Sequence, residues 1–361
     1  MAADYNTICL KRGTTAKNSV YLGKLGEIVI DTDKQIPVIH DGVRIGGHPL
    51  YRYNYNYVVD GDFNVWLEGT SQTTSGYGSD TMYMNNNLGS TKTHSQQLFT
   101  VGQTDVHGGL KYYSRTAVTS VAGADNYVLK RHKIEDVRRL AGKTVTLSFW
   151  AKADANKNIA IEFSQNFGVG GDDQVNECIK QLIPLTSAWQ KFTVTGTLPS
   201  VSGKTIVESS NPGTIILWWF EAGSALASRS SNIGQQSGTF DIARVRLVEG
   251  TVDGDGVNEN SGETLFRVNR YYETGHLSGP IAAYSTTYVR FSPVYYKVTK
   301  RIPPSSITVT SVTTVGIAGT IGSLYSLNSY DHGFAPVYNW AGATAGTAGT
   351  GSIDWISDTR L

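Results

Sequence analysis

Apolar and polar residues alternate with a period of two through most of the middle of the chain. Thr144–Ala153 puts Val145, Leu147, Phe149 and Ala151 on one face and Thr146, Ser148, Trp150 and Lys152 on the other. Ile159, Ile161 and Phe163 alternate in the same way, and Trp189–Thr197 pairs Phe192 with Val194. Thr214–Phe220 is apolar on both faces, the pattern of a central strand, and Phe240–Val248 closes the set. Only Ile134–Leu140 reads as a short helix. Strand after strand with Gly/Ser/Thr turns between them predicts a β-sandwich of the jelly-roll kind over residues 54–250.

The flanking segments are also β-like. In residues 1–50 the pattern predicts strands over Thr7–Leu10, Glu27–Ile30 and Ile36–His40, with turns at Asp31–Lys34 and Asp41–Gly42. Thr15 is placed to cap a helical turn over Ala16–Asn18. This module has too few apolar residues to fold alone, so a partner chain is expected. Thr251–Gly262 is rich in Gly, Asp and Asn and reads as a linker. Residues 266–361 form a third β-unit, with runs at Thr286–Phe291 and Ile307–Val315. It is dense in tyrosine at Tyr271, Tyr272, Tyr284, Tyr288, Tyr295 and Tyr296. The Ala/Gly/Thr tract Ala341–Gly351 reads as a loop. No repeat recurs at a fixed period, which argues against a β-helix or a propeller. The fold class is all-β.

Charge removes several functions. The 361 residues carry 31 Lys plus Arg against 30 Asp plus Glu, a net charge of +1. This balance does not suit a nucleic-acid binder or a polybasic membrane tether. Charged residues are 17% of the chain, below the usual level of about 25%. The two cysteines, Cys9 and Cys178, cannot form a disulfide framework. No apolar run reaches a membrane span, and the N-terminus lacks a secretory pattern. A chain made in a cytosol and soluble there is expected.

Catalytic motifs fail on their own spacing. The Gly-Lys-Thr triplets at Gly142 and Gly203 lack the earlier glycine of a phosphate loop, which has Val137 and Leu198 in its place. Asp253-Gly-Asp255-Gly lacks the EF-hand glycine and glutamate, with Asn258 and Thr264 there instead. Gly168-Val-Gly170-Gly171 is followed by no helix pattern. The seven histidines are scattered, and no Gly-x-Ser-x-Gly elbow is present. The chain is read as not an enzyme.

The candidate contact residues are aromatic. Trp150 lies opposite the apolar face of its strand. It either stacks on a weakly polar ring such as a sugar, or packs under a loop or a neighbouring chain. Trp218 and Trp219 alternate, so one faces outwards and the other is core. Trp189 reads as a lid on the core.

Leu10-Lys-Arg-Gly-Thr-Thr15, Leu25-Gly-Glu-Ile-Val-Ile-Asp-Thr-Asp33, Ile39-His-Asp-Gly42 and Gly46-Gly-His-Pro-Leu50 occur in order. Together they resemble the N-terminal domain of phage tail proteins typified by the major tropism determinant. Asp60-Gly-Asp-Phe-Asn-Val-Trp66, the Ile134–Lys152 run, Gln165-Asn-Phe-Gly168, Trp189–Val194 and Gly238–Leu247 resemble the carbohydrate-binding jelly roll of phage tail fibres. Arg270-Tyr-Tyr-Glu273 resembles the junction that follows it. Asn64 departs from the acidic residue usual there, and Met82 and Tyr83 stand where a Trp is usual.

The resemblance implies a virion tail fibre protein made in the host cytoplasm. Residues 1–50 would attach it to other tail or baseplate proteins, as part of a homotrimer. The jelly roll or the distal unit would bind a host cell-surface glycan, through Trp150, Trp218 and Trp219 or through the distal tyrosines. Membrane insertion is not implied. Related jelly rolls hold a structural calcium, for which Asp62 and Asp241 occupy matching places. Two rivals remain: a purely structural fibre of collar, baseplate or capsid, and a capsular depolymerase.

Overall fold

The computed structural model of the chain describes residues 10–33, 36–50, 55–253, 259–304, 307–316, 320–342 and 344–360. The architecture is all-β, as the alternation predicts. It comprises a small N-terminal sheet, a two-sheet jelly-roll sandwich and a C-terminal sheet.

The N-terminal sheet has the order Lys11–Gly13, Ile28–Asp31, Ile36–Ile39, His48–Pro49. Its first pair is parallel and the others antiparallel. The strand expected over Thr7–Leu10 lies, apart from Leu10, outside the described residues. The helical turn Thr15–Asn18 is present, but Thr14 caps it, accepting from the Lys17 amide at 3.3 Å. The Thr15 hydroxyl donates instead to the Asp31 carboxylate.

One sheet of the sandwich runs Val175–Leu185, Lys157–Asn166, Gly213–Ala222, Tyr127–Glu135, Met84–Leu88, Gly76–Tyr77. The other runs Gln190–Thr197, Thr144–Ala153, Gly238–Glu249, Tyr112–Thr119, Thr91–Leu98, Ser71–Gln72. All pairings within both sheets are antiparallel. Val145, Leu147, Phe149 and Ala151 point inwards, as their spacing predicts, and meet Ile161, Phe163, Ile216, Trp218 and Phe220 from the facing sheet. The rings of Phe149 and Trp218 meet edge-on at 6.3 Å.

Ile134–Leu140 is not a helix. Glu135 ends a strand, Asp136 turns the chain at φ +62°, and a short 3-10 turn, Val137–Arg139, follows. Its periodicity comes from Ile134, Val137 and Leu140, which are buried as anchors either side of that turn.

The polar strands Met84–Leu88 and Thr91–Leu98 carry no apolar alternation because their buried positions are polar. Lys130 donates to the Asp80 carboxylate and to Asn85 Oδ1 at 2.7 Å. His94 Nε2 lies 2.9 Å from Asp80, and its ring stacks on Trp66. Burial alone would raise the Asp80 carboxyl, but the adjoining His94 and Lys130 more than reverse this and hold it low. Burial pushes His94 down to about 4, so at neutral pH the charged partner is Lys130.

The opening segment is sewn onto the last strand. Val245 donates its amide to the Gly61 carbonyl at 2.8 Å, and Tyr57 donates to the Leu247 carbonyl at 2.9 Å. A Cβ on Gly61 would overlap the Val245 carbonyl oxygen, so only glycine fits. On either side, Asp60 accepts from the Asn64 and Val65 amides, and both carboxylate oxygens of Asp62 accept from Arg246 Nη2 at 2.8 Å, with the Glu259 amide donating as well at 3.4 Å. Phe63 then drops fully into the core, stacked on Tyr83 at 4.8 Å.

The C-terminal sheet has the order Val294–Tyr295, Gly333–Ala341, Tyr288–Phe291, Tyr272–Ala283, Ala348–Asp358, Ile307–Val315, with Thr320–Ser329 also paired to Gly333–Ala341. Two segments differ from expectation. The linker does not reach Gly262, because a helix, Ser261–Asn269, begins inside it. Asn260 caps this helix, accepting from Gly262 and Glu263. Its Val268, with Tyr271, packs in the sandwich core. The tract Ala341–Gly351 is also not all loop: from Ala348 it is a strand. A Cβ on Gly351 would crowd Phe291 and Ile281, so a small residue is needed in a buried sheet rather than at a flexible turn.

Two tests follow from this packing. Arg246→Met strands a buried carboxylate, and we expect a loss of about 3–5 kcal/mol in urea unfolding. The Asp62→Ala/Arg246→Met double variant should lose less than the sum of its parts, and a calcium chelator should change neither result. A double-variant loss equal to the sum would refute the pairing. The second test is acid sensitivity. Burial holds His94 to about 4 and His132 to about 3, and His132 Nε2 accepts the Val59 amide. In the unfolded chain both would titrate near 6.5. Below that pH the unfolded state binds protons that the folded state refuses, so stability falls as pH drops, by up to about 1.4 kcal/mol per pH unit for each histidine. His132→Asn should flatten the slope of unfolding free energy between about pH 7 and about pH 5.

Candidate functional site

Trp150 stands on the outward face of the sheet containing Thr144–Ala153. Its cross-strand neighbours are Lys191 on one side and Ala243 on the other. It is half-buried, because His107, from the loop between Leu98 and Tyr112, meets its ring edge-on at 5.5 Å. Its indole Nε1 is buried with no hydrogen-bond partner among the described residues.

An aromatic shelf continues along this face. Trp189 meets Tyr113 edge-on at 5.3 Å and Phe99 at 5.4 Å, and Lys152 lies 5.2 Å from the centre of its ring. Trp189 is therefore part of the outer shelf, not a lid on the interior. Polar atoms edge the shelf. Arg115 grips Asp241 through Nε at 2.7 Å and Nη2 at 2.8 Å. That bond holds the guanidinium proton more tightly, while burial and then Asp241 raise the Tyr113 hydroxyl. Flat rings beside fixed charged and hydroxyl groups suit a ligand with both apolar and hydroxylated faces.

Trp218 and Trp219 are both buried. Trp218 points into the interior, against Phe149 and Tyr83. Trp219 points outwards, as alternation requires, but the chain after Ala222 folds back over it. Leu226 and Ile233 pack on its side of the sheet, and the Arg229 guanidinium covers its ring at 5.3 Å. Its Nε1 donates to Glu162 at 3.0 Å, and Arg229 donates to the same carboxylate at 2.9 Å. Neither tryptophan offers a ring face to a ligand. Strand periodicity gives direction, but not whether a later loop covers the outward side.

Asp62 and Asp241 do not meet. Asp62 lies beside Val245 and Arg246, whereas Asp241 lies five residues earlier on the same strand, roughly 16 Å away along it. Each carboxylate is held by its own arginine, Arg246 or Arg115. The positive charge expected of a cation between the opening segment and the last strand is supplied by Arg246. Among the described residues, no group of three or more His, Cys, Asp or Glu is gathered to hold a metal ion.

The distal tyrosines divide. Tyr271, Tyr272 and Tyr296 are buried, while Tyr284, Tyr295, Tyr325 and Tyr330 are exposed. Tyr284 stacks on Tyr288 at 5.8 Å, and Tyr288 meets Tyr325 at 4.2 Å. The hydrogen bond that the Tyr288 hydroxyl makes to Tyr325 holds its proton and raises its pKa. Arg290 lies over Tyr284 at 5.2 Å. Sequence reasoning did not single out Tyr325 and Tyr330, since tyrosine density alone does not separate core from surface.

Residues 8–44 match the family described as the major tropism determinant N-terminal domain. Over 42 residues the chain is 48% identical to the tail fiber receptor-binding protein of Bordetella phage BPP-1, an alignment covering 12% of this chain and 11% of that protein. The chain thus matches about a tenth of that relative's length. Among solved structures, it is similar to a family 11 carbohydrate-binding module from Clostridium thermocellum in complex with a mixed-linked tetrasaccharide. Identity there is 12% and the TM-score 0.30, over 50% of this chain and 95% of that one. It is also similar to the enzymatically active domain of tailspike protein 4 of bacteriophage CBA120, at 12% identity and a TM-score of 0.31, over 54% of this chain and 21% of that one.

Proposed function

We propose that this protein is a phage tail fibre component that attaches the virion to a glycan on the host surface. The observation that carries the reading is the N-terminal match to a tail fiber receptor-binding protein, which covers most of the first sheet. The exposed aromatic surfaces further along the chain are consistent with it, since such patches mark interaction sites.

The first module is where copies of the chain would associate. Among its described residues the buried apolar ones are Val29, Ile36 and Val38, while Val20, Leu25 and Val43 are 75%, 82% and 82% exposed. A homotrimer would cover such a surface. The proposed attachment surface is the exposed tyrosine group of the C-terminal sheet. Tyrosine gives a rigid amphipathic contact at small entropic cost. The Trp150 shelf is the less open of the two, because the His107 loop lies over it.

Two measurements test this. Multi-angle light scattering of the full chain should give a trimer, and a stable monomer at micromolar concentration would remove the assembly reading. Labelled full-length protein should bind host cells and be displaced by polysaccharide extracted from them. Tyr284→Ala/Tyr325→Ala should reduce cell binding by about tenfold or more, and Trp150→Ala by much less. The reverse order would move the attachment surface to the sandwich.

A further inference from the structure

A cleft of about 130 Å³ lies where the sandwich meets the segment leading into the C-terminal sheet. Its walls come from four stretches of chain: Tyr55 and Tyr57 from the opening segment, Lys133 and Arg139 from the sandwich, Phe266 and Arg267 from the Ser261–Asn269 helix, and Val298 from the C-terminal unit. None of these residues takes part in the surfaces described above.

The lining of the cleft carries more cationic than anionic side chains: Lys133, Arg139, Arg267 and Arg270 against Glu135. The Arg139 guanidinium lies 5.4 Å from the centre of the Tyr57 ring and 5.8 Å from that of Tyr55; among the described residues it makes no ion pair, and Asp136 and Glu249 feel its charge only at longer range. Arg267 lies 5.0 Å from the Tyr55 ring, and its Nη2 donates to the Asn56 carbonyl at 2.7 Å, a neutral partner, while the buried Glu259 feels its charge at longer range. Lys133 Nζ donates only to neutral oxygens, Asn166 Oδ1 and the Asn211 carbonyl. The carboxylate lining the cleft is Glu135, which is already held by Arg270 at 2.9 Å and by the Tyr271 hydroxyl at 2.8 Å. Glu249, close by, is held by Lys143 and the Tyr57 hydroxyl. Burial above all, and then Arg131 and Arg301 nearby, push Lys133 down to about 8.

Cations held against ring faces are oriented before any ligand arrives, and guanidinium groups match carboxylate and phosphate oxygens in pairs. Phe266 is exposed at the rim, and Tyr55 is partly so. The cleft thus offers aromatic faces for a sugar ring together with fixed positive charge for an acidic substituent.

We propose that this cleft binds an acidic saccharide unit, with Arg139 and Arg267 taking its carboxylate or phosphate and Tyr57 and Phe266 flanking its ring. The proposal rests on the glycan-attachment reading and narrows it to acidic glycans.

The test is calorimetric titration of the full chain with glucuronate, glucose 6-phosphate, glucose and inorganic phosphate. Glucuronate or glucose 6-phosphate should bind in the millimolar range, with glucose at least about tenfold weaker, and the tighter of the two acids identifies the source of the charge. Arg139→Ala removes an exposed side chain that makes no hydrogen bond, so the fold should persist with an unchanged melting temperature. It should weaken the acidic sugar by about tenfold or more while leaving glucose unaffected. Equal affinity for glucose and both acids, or no effect of Arg139→Ala, would overturn the proposal. Inorganic phosphate binding as tightly as either sugar acid would overturn its saccharide part. Failure of the attachment reading shows separately: labelled protein would then bind glucuronate yet not stain host cells. Staining without binding of either acid would sink the cleft alone.

Discussion

The sandwich depends on the contact between Gly61 and Val245. A barrel-like pair of sheets needs its first segment brought back against its last strand, and here the backbones approach so closely that a side chain at position 61 is forbidden. The flanking aspartates act in different ways. Asp60 turns the chain by capping the amides of Asn64 and Val65, and Asp62 locks the register through Arg246. Once the segment is fixed, Phe63 fills the core and Trp66 reaches the Asp80–Lys130–His94 network through its stack on His94. The same segment, through Tyr55 and Tyr57, forms one wall of the charged cleft. One short motif therefore closes the fold and positions a surface feature.

Several of the charges taken inside are matched in pairs where two stretches of chain must be joined, while Asp60, Lys92 and Glu221 are buried on neutral partners. Lys130 with Asp80 ties a central strand to the turn before Met84–Leu88. Lys300 with Glu273 fastens the C-terminal sheet, and Arg360, stacked over Tyr272 and Tyr77, pairs with Glu68 and Asp358 to tie the chain end to the sandwich. Such pairs add little net stability against a well-packed apolar replacement, but losing one partner is costly, so they favour one docking arrangement over others. Arg139 and Arg267 differ from these pairs: each lies over an aromatic ring with no ion pair among the described residues, and the carboxylates that feel their charge, Asp136, Glu249 and Glu259, act at longer range.

Much of the fold was legible in the sequence because strand alternation is a direct record of burial. Val145 to Ala151 and Ile159 to Phe163 appear where their spacing puts them. What was illegible has physical causes. Met84–Leu88 and Thr91–Leu98 bury Asn85, Lys92 and His94, so they show no apolar period. The Gly351 strand looks like a loop because its bulky neighbours, Phe291 and Ile281, supply the packing that its own residues lack. The candidate site was legible only in part. Trp150 does face outwards, but whether an outward ring is open depends on loops distant in sequence, such as the one carrying Arg229 over Trp219. The pairing of Asp62 with Arg246, and not with Asp241, is a long-range contact that no local pattern records.

These features bear on how a weakly charged surface could hold a cell. Neutral sugars offer no charge, so an aromatic contact to them is individually weak, and attachment must come from repetition. If the first module assembles three chains, each tyrosine surface and each cleft is present three times in fixed geometry, and once one copy is bound, the next binds at an effective concentration set by that geometry. The charged cleft adds discrimination that avidity alone cannot supply. Repetition strengthens every glycan alike, whereas guanidinium groups facing the cleft reward only an acidic one, and rigid seating of Arg139 and Arg267 on tyrosine rings keeps the ordering penalty small when that partner arrives.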